Sequence, residues 1–461
     1  MGYQNWVQSD WWALRSTSAA RHGVDQAMPG NDGYFYEYRL AREISDARLD
    51  LMAQRVLRGM LSSGAFDSDT CTPGCDAAHR GCNHLMYEAN ATSAAHVALA
   101  RRIGAESAVL LKNTANVLPL SPAATVALVG SACSRAHSID VEREDWTAAD
   151  YYVVGGSGRV VSDRAVSIRA GLEARGVRLR VSPTDSLDGA LRAAAGSDVV
   201  LACGGAVTTE SRDRPTLRLD QHALLSALSA AAGLPPLVVA VLAPGAVATA
   251  PWHEGAAAVA TLFLGGQETG HAWADVLLGL DSLGRPFAPS GKLPVTFPRE
   301  DADAVAPCPS SHIDCVYSER LHVGWRGLLH LDVAFPFGHG LSYTTFSCSA
   351  LAVAQPARTV SVRVRNEGER AGAEVVQLYI RYPAAAGEPP LTLRGFEKTR
   401  VLAPGAEQAV RFELSERDLS IWDEGVGDSG AWRLVLGTFG VLVGTSSRDL
   451  PLEGELVVTG G

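Results

Sequence analysis

Residues 234–251, LPPLVVAVLAPGAVATAP, form the most membrane-like stretch of the chain. A lipid-spanning helix of this length would tolerate Pro235, Pro236, Pro244 and Pro251 poorly, because each proline removes a backbone donor and crowds the preceding turn. The uninterrupted part, Leu237 to Leu242, has the length and composition of one buried strand. Working outward, Ala108 to Lys112, Val126 to Val129, Val199 to Cys203 and Val259 to Leu264 predict further strands. Leu187 to Ala195, Gln221 to Ala231 and Glu268 to Leu280 predict helices between them. This alternation, from about Ala94 to Arg299, predicts a mostly parallel sheet covered by helices on both faces.

Beyond about Phe346 the pattern changes to short strands separated by polar turns, at Val360 to Val364, Val375 to Ile380, Ala409 to Leu414 and Trp432 to Leu436. That is the pattern of a small antiparallel β-sandwich, which makes the chain α/β plus all-β. The first stretch, to about Asp67, reads as a short apolar strand at Tyr3 to Val7, a helix-like segment at Ala13 to His22, and an irregular segment around Met28-Pro29-Gly30. A helix from about Ser45 to Leu61 follows, with Leu49, Met52, Val56 and Met60 on one face. A complete eightfold barrel takes roughly 250 residues, so this stretch amounts to part of one. Asp10 stands between strand and helix, where a βα-barrel places catalytic residues; capping of the helix is the competing reading.

At 461 residues, 47% of them hydrophobic and 20% charged, the chain is long enough for two or three globular domains. The formal net charge of −10 argues against a nucleic-acid partner, whose affinity needs clustered Lys and Arg. No membrane span is predicted, and residues 1–6 lack the features of a secretory signal. The cysteines point to an oxidising compartment nonetheless. Cys71, Cys75 and Cys82 crowd one loop, Cys308 and Cys315 bracket another, and Asn90-Ala91-Thr92 is a glycosylation sequon. The first cluster reads as a disulfide-stapled loop; the alternatives are zinc, with His79 and His84 but without the usual two-plus-two spacing, and free thiols. Cys133, Cys203 and Cys348 read as small core residues. Gly155-Gly156-Ser157-Gly158 lacks the lysine and spacing of a nucleotide site and reads as a turn carrying a substrate-facing loop.

Seven motifs then follow one another. They are Val7-Gln8-Ser9-Asp10-Trp11 leading to Met28-Pro29-Gly30; Glu106-Ser107-Ala108-Val109-Leu110-Leu111-Lys112-Asn113 with Leu118-Pro119-Leu120; Gly265-Gly266-Gln267-Glu268; Gly291-Lys292-Leu293-Pro294; Phe337-Gly338-His339-Gly340-Leu341-Ser342-Tyr343; Leu393-Arg394-Gly395-Phe396-Glu397-Lys398; and Pro404-Gly405. In this order they resemble glycoside hydrolase family 3, in its β-glucosidase-like branch with a C-terminal fibronectin type III-like domain. The resemblance implies residues 1–66 as the C-terminal part of a (β/α)8 barrel, 67–93 as a cysteine-containing linker, 94–300 as an α/β sandwich domain, 301–345 as a connector, and 346–461 as a fibronectin type III-like β-sandwich. It also implies that most of the N-terminal barrel is lacking.

Carried over residue by residue, Asp10 is similar to the family's catalytic nucleophile and Trp11 to the aromatic that lines the sugar subsite. Glu210, in Thr209-Glu210-Ser211-Arg212-Asp213-Arg214, resembles the acid/base, with Asp213 and Arg214 as a local ion pair or loop brace rather than a catalytic group. A retaining glycosidase needs one carboxylate ionised to attack the anomeric carbon and one protonated to assist the leaving oxygen, about 5–5.5 Å apart. The resemblance gives Asp10 the first role and Glu210 the second, and implies no metal and no organic cofactor.

The implied function is that of a retaining, exo-acting β-glucosidase acting on terminal β-glucosyl residues of oligosaccharides or glucosides in the secretory pathway. The alternatives are a β-xylosidase of the same family and a non-catalytic carbohydrate-binding remnant. Trp rather than Cys after the nucleophile favours glucoside. The chain departs from the family in having no Lys-His pair, no Lys before Lys112, and Leu219-Asp220-Gln221 where the family usually has a Pro before the Gln.

An apolar first strand without its barrel neighbours would expose unpaired edges and hydrophobic side chains. The 461-residue chain is therefore expected to give less soluble protein than a shorter chain beginning near Ala94. Equal soluble yields of the two would refute this expectation.

Overall fold

A computed structural model describes residues 3–67, 91–137, 139–140, 145–308, 315–355, 357–425 and 430–460, in two compact units, residues 1–92 and 93–461. Cys71, Cys75, Cys82, His79, His84 and Asn90 lie outside the described residues.

In the first unit, strand β1 (Gln8–Trp11) pairs in parallel with β2 (Gln26–Met28), with Gln8 opposite Gln26 and Trp11 opposite Met28. Helices α1 (Glu37–Glu43) and α2 (Asp46–Ser62) follow, and Ala20, Ile44 and Met52 form a small core with Phe35, Leu40 and Leu49. Two expectations are corrected here. The strand is Gln8–Trp11 rather than Tyr3 to Val7, because the chain from Gln26 to Met28 offers its ladder to that later register. The segment from Ala13 to His22 holds only one 3₁₀ turn, Thr17–Ala20. Its hydroxyls explain this: Ser16 Oγ accepts from the Ser18 amide at 3.1 Å, and Thr17 donates to the Tyr34 carbonyl at 2.9 Å. Such local side-chain bonds compete with a continuous helix.

The second unit opens with α3 (Ala94–Ser107) and strand β3 (Val109–Asn113). Five parallel strands follow: β4 (Thr125–Val129), β5 (Arg178–Ser182), β6 (Val199–Gly205), β7 (Leu237–Ala243) and β8 (Ala258–Phe263). The sheet order is β3-β8-β7-β6-β4-β5, with only β3 antiparallel to its neighbour. Every residue of β7 is buried, as the reading of residues 237–242 required. Alternate side chains of each central strand enter opposite cores, Leu128, Leu201, Val238 and Ala260 on one face, Ala127, Val200, Val239 and Val259 on the other.

Helices α4 (Ile168–Ala174) and α7 (Thr269–Leu278), with α3, cover the first face; α5 (Leu187–Ala194) and α6 (His222–Ala230) cover the second. Helix α4 reaches α7 glycine to glycine, since a Cβ on Gly171 would stand 2.0 Å from the Gly270 carbonyl oxygen. Cys133 and Cys203 are not separate thiols. They join in a disulfide between the short helical turn after β4 and strand β6, both fully buried, because the parallel pairing of β4 with β6 brings their backbones together. Cys308 is bonded to Cys315, and Cys348 is a free, half-buried thiol.

The β-sandwich comprises β9 (Phe346–Ala354), β10 (Thr359–Asn366), β11 (Val375–Arg381), β12 (Thr392–Lys398), β13 (Glu407–Glu413), β14 (Ser420–Asp423), β15 (Ala431–Leu434), β16 (Gly437–Gly444) and β17 (Leu452–Val458). Sheets β13-β10-β9 and β12-β11-β16-β17 face each other over Val360, Val362, Val364, Val376, Leu378, Ile380 and Val441; β14 and β15 make a separate hairpin. The sandwich is tied to the α/β sheet by the Lys292–Glu374 ion pair at 2.6 Å and by Gln377, which donates to the Gly338 carbonyl at 3.0 Å. No helix among the described residues is long and apolar enough to cross a membrane.

His339 makes this junction sensitive to pH. Its Nε2 lies 2.8 Å from the Leu111 carbonyl, to which it donates, and burial holds the ring below its ordinary proton affinity. The unfolded chain takes up that proton near pH 6.5 while the folded one resists it, so stability falls as pH drops below about 6.5 toward the lowered folded value. Urea midpoints should decrease from pH 7.5 to 5.5, with a shallower slope for His339→Gln. An identical slope in that variant would remove His339 from the account.

Candidate active site

Strand β4 lies between β5 and β6, so the chain crosses one way from β4 to β5 and the other way from β6 to β7. The helices of these crossings, α4 and α6, lie on opposite faces, which leaves a crevice above the C-terminal ends of β4 and β6. A polar cluster fills its floor. Ser131, just past β4, donates its amide and hydroxyl to Asp185 at 2.7 and 2.9 Å. Gln221 accepts from the Gly205 amide at 2.8 Å and donates to Ser131 Oγ at 3.0 Å. Tyr151 donates to Asp220 at 2.7 Å, and burial pushes its phenol up to about 12. Gly205 has no room for a side chain, since a Cβ would meet the Tyr151 ring at 2.5 Å. Leu219, in the Leu219-Asp220-Gln221 stretch where the family usually has a Pro before the Gln, is buried against Gly204.

Glu210 stands on the loop that leaves β6. Thr209 pairs with Gly155 in a short parallel bridge, and the Glu210 amide donates to the Gly155 carbonyl at 3.0 Å. Across it, the Ser157 amide donates to Glu210 Oε2 at 2.7 Å. Gly156, at φ +109°, permits this approach, because a Cβ there would lie 2.3 Å from Glu210 Cβ. Glu210 Oε2 is thus engaged as an acceptor. The glycine-rich stretch 155–158 is thus the platform of the Glu210 loop. Its motif was visible in the sequence, but its partner, Glu210, 53 residues beyond Ser157, was not. Of the two readings of Asp213-Arg214, ion pair or loop brace, the second describes Arg214, which donates to the Arg218 carbonyl at 3.1 Å; among the described residues Asp213 and Arg214 form no ion pair with each other.

In the first unit, Asp10 and Trp11 are the last two residues of β1. Asp10 is exposed, and its Oδ1 accepts from the Trp11 amide at 2.5 Å. Trp11 is 53% exposed and meets Trp12 edge to face at 6.0 Å. Trp12 takes a left-handed turn (φ 50°), donates its amide to the Met28 carbonyl at 2.9 Å, and anchors its indole on Asn31 Oδ1 at 2.9 Å. The strand therefore ends just where Asp10 and Trp11 emerge. The same unit holds a carboxylate to which the sequence reading gave no role of its own. Asp25 is buried, accepts from the Val7 amide at 2.9 Å, and pairs with Arg48 at 2.8 Å and Arg55 at 3.5 Å. Its signal was two arginines seven residues apart on one face of α2. Among the described residues, no three His, Cys, Asp or Glu side chains come together as a metal ion would require.

The profile described as glycosyl hydrolase family 3 C-terminal domain matches residues 108–343, and that of the fibronectin type III-like domain matches residues 374–447. Probable beta-glucosidase L of Emericella nidulans is 33% identical over 99% of the chain and 67% of its own length. Thermostable beta-glucosidase B of Acetivibrio thermocellus is 30% identical over 98% of the chain and 58% of its own. Among solved structures, the beta-glucosidase D2-BGL of Chaetomella raphigera superposes with a TM-score of 0.80 at 28% identity, covering 99% of this chain and 69% of that one. Beta-glucosidase 3B of Thermotoga neapolitana, solved with α-D-glucose, gives 0.79 at 27% identity, covering 100% and 67%. The chain spans about two thirds of the length of most of these relatives, and it belongs to glycosyl hydrolase family 3.

Proposed function

We propose that the chain serves a retaining, exo-acting β-glucosidase, with Asp10 as nucleophile, Glu210 as acid/base and Trp11 packing on the sugar ring. The observation that carries the reading is the setting of Glu210: a carboxylate at the switch point of a parallel sheet, one oxygen fixed by a backbone amide and the other without a hydrogen bond among the described residues. The names of the relatives support glucose as the sugar, as does Trp11 after the nucleophile. Their greater length supports a site completed within a longer enzyme, in which residues 1–66 belong to the barrel, 94–300 to the α/β sandwich and 346–461 to the fibronectin-like domain. The two disulfides support passage through an oxidising compartment.

The chemistry runs in two displacements. Asp10 attacks the anomeric carbon as the glycosidic C–O bond breaks, and the leaving oxygen takes the proton of Glu210. A covalent α-glucosyl ester results. Glu210, now ionised, removes a proton from water, whose oxygen attacks the same carbon and releases Asp10 with β-glucose as product. Binding on the pyranose face by Trp11 orients the ring for both steps.

Azide separates the two carboxylates. Glu210→Ala should lower kcat/KM about 10²–10⁴-fold on alkyl glucosides, and azide should restore turnover with β-glucosyl azide as product. Asp10→Ala should give the α-azide. The same anomer from both variants would sink these assignments.

Gly156→Ala should reproduce part of the Glu210 defect, because its methyl group occupies the space of the Glu210 side chain. We expect at least tenfold lower kcat/KM, as when misplacement of a reacting group costs that much or more. The loss should be greatest for poor leaving groups. A loss uniform across leaving groups would exclude an effect through Glu210.

A further inference from the structure

Glu210 occupies the first corner of a two-residue turn. Thr209 and Arg212 pair across it in a short antiparallel bridge, and Ser211, at the second corner, takes a left-handed conformation (φ 70°). Glycine is favoured at such a corner, so the preference of Ser211 itself does not hold the turn. Its incoming limb is fastened by the bridge between Thr209 and Gly155 and by the Glu210 amide on the Gly155 carbonyl. Of Ser211, Arg212 and Asp213 on the outgoing limb, only Arg212 makes a side-chain hydrogen bond among the described residues. Its Nη2 donates to Thr147 Oγ1 at 3.3 Å.

Thr147 belongs to a second turn, Asp145-Trp146-Thr147-Ala148, which Asp145 closes twice. Its side chain accepts from the Thr147 amide at 2.8 Å and its carbonyl from the Ala148 amide at 2.9 Å. This turn is joined to the glycine platform, since Gly156 donates its amide to the Trp146 carbonyl at 2.9 Å and Arg159 donates to the Asp145 carbonyl at 2.9 Å. Gly155 lies so close that a Cβ on it would stand 2.2 Å from the Thr147 carbonyl oxygen. The Thr147 amide holds the Asp145 carboxyl below its ordinary value, and the Thr147 hydroxyl and the charges of Arg212 and Arg159 act in the same direction. An ionised Asp145 thus attracts Arg212, the arginine that the Glu210 turn carries.

We propose that Arg212 is a positioning residue for the acid/base: by gripping the Asp145–Thr147 turn it keeps the turn that carries Glu210 on the Gly155–Ser157 platform. The proposal rests on the glucosidase reading and goes beyond it by assigning a residue that acts through Glu210. Hydrogen bonds weaken steeply out of line, so a small displacement of the turn costs rate where a proton must be delivered. An alkoxide leaving group needs that proton, whereas dinitrophenolate departs without it.

The test compares the parent chain with Arg212→Met, Arg212→Lys and Thr147→Val on methyl β-glucoside and on dinitrophenyl β-glucoside. Arg212→Met keeps the length of the side chain but not its donor, and should lower kcat/KM about tenfold on the methyl glucoside and less than about twofold on the dinitrophenyl glucoside. Arg212→Lys, which keeps a donor and the charge, should retain most of the rate. Combining Arg212→Met with Thr147→Val should cost no more than the greater single loss, as two ends of one contact do. Equal losses on the two substrates, or losses that add, would overturn the proposal alone. The Glu210 amide should also exchange its hydrogen faster in Arg212→Met than in the parent, whatever the activity, and unchanged exchange would likewise overturn the tether. A parent chain that turns over neither substrate would overturn the glucosidase reading and this role with it.

Discussion

Parallel pairing of β4 with β6 is the constraint from which most of the second unit follows. The two strands are neighbours in the sheet but not in sequence, so their outgoing connections must diverge to opposite faces. That divergence leaves a crevice above the C-terminal ends of the two strands. What occupies it is polar: Ser131, Asp185, Gln221, Tyr151 and Asp220 in one hydrogen-bonded floor, and above it the Gly155–Ser157 and Thr209–Glu210 loops laced together. The buried Cys133–Cys203 disulfide crosses the same pair of strands, so the floor beneath the candidate acid is joined covalently as well.

Small residues make these approaches possible. Gly130, Gly155, Gly156 and Gly205 each sit where an added Cβ would run into backbone or side chain within 2.9 Å. At Gly156 the obstructing group is Glu210 itself, which ties the placement of a reacting carboxylate to the absence of one methyl group. Farther from the crevice, the fibronectin-like sandwich is joined to the sheet by buried polar contacts rather than by apolar area alone. Tyr343 donates to the Val276 carbonyl at 2.7 Å, Lys292 pairs with Glu374, and Gln377 donates to two carbonyls, those of Gly338 and Thr445. Directional bonds of this kind fix orientation, because an unpaired partner in such surroundings would carry the full cost of desolvation.

Much of this architecture was legible in the chain. The apolar runs at 199–203 and 237–242 and the alternating pattern at 360–364 each became the strand they predicted, since a strand buried on both faces or on one writes that fact into consecutive residues. Less was legible where the signal was local but misleading. Strand β5 was not foreseen because Arg178 and Arg180 mark it as a charged sheet edge. The helix expected after Asp10 shrank to one turn because its serines and threonine bond their own backbone.

Composition and local order by themselves determined the element types, the succession of an α/β sheet and a β-sandwich, and the family, because each is encoded in contiguous residues. Only the tertiary structure decided that residues 155–157 lie against Glu210, that Cys133 meets Cys203, that Asp25 sits under β1 with Arg48 and Arg55, and that Trp146 shares a glycine with the candidate acid. The reason is the same in each case. These contacts join segments separated in sequence by up to 70 residues, and strand order, which no single segment contains, sets which of them meet.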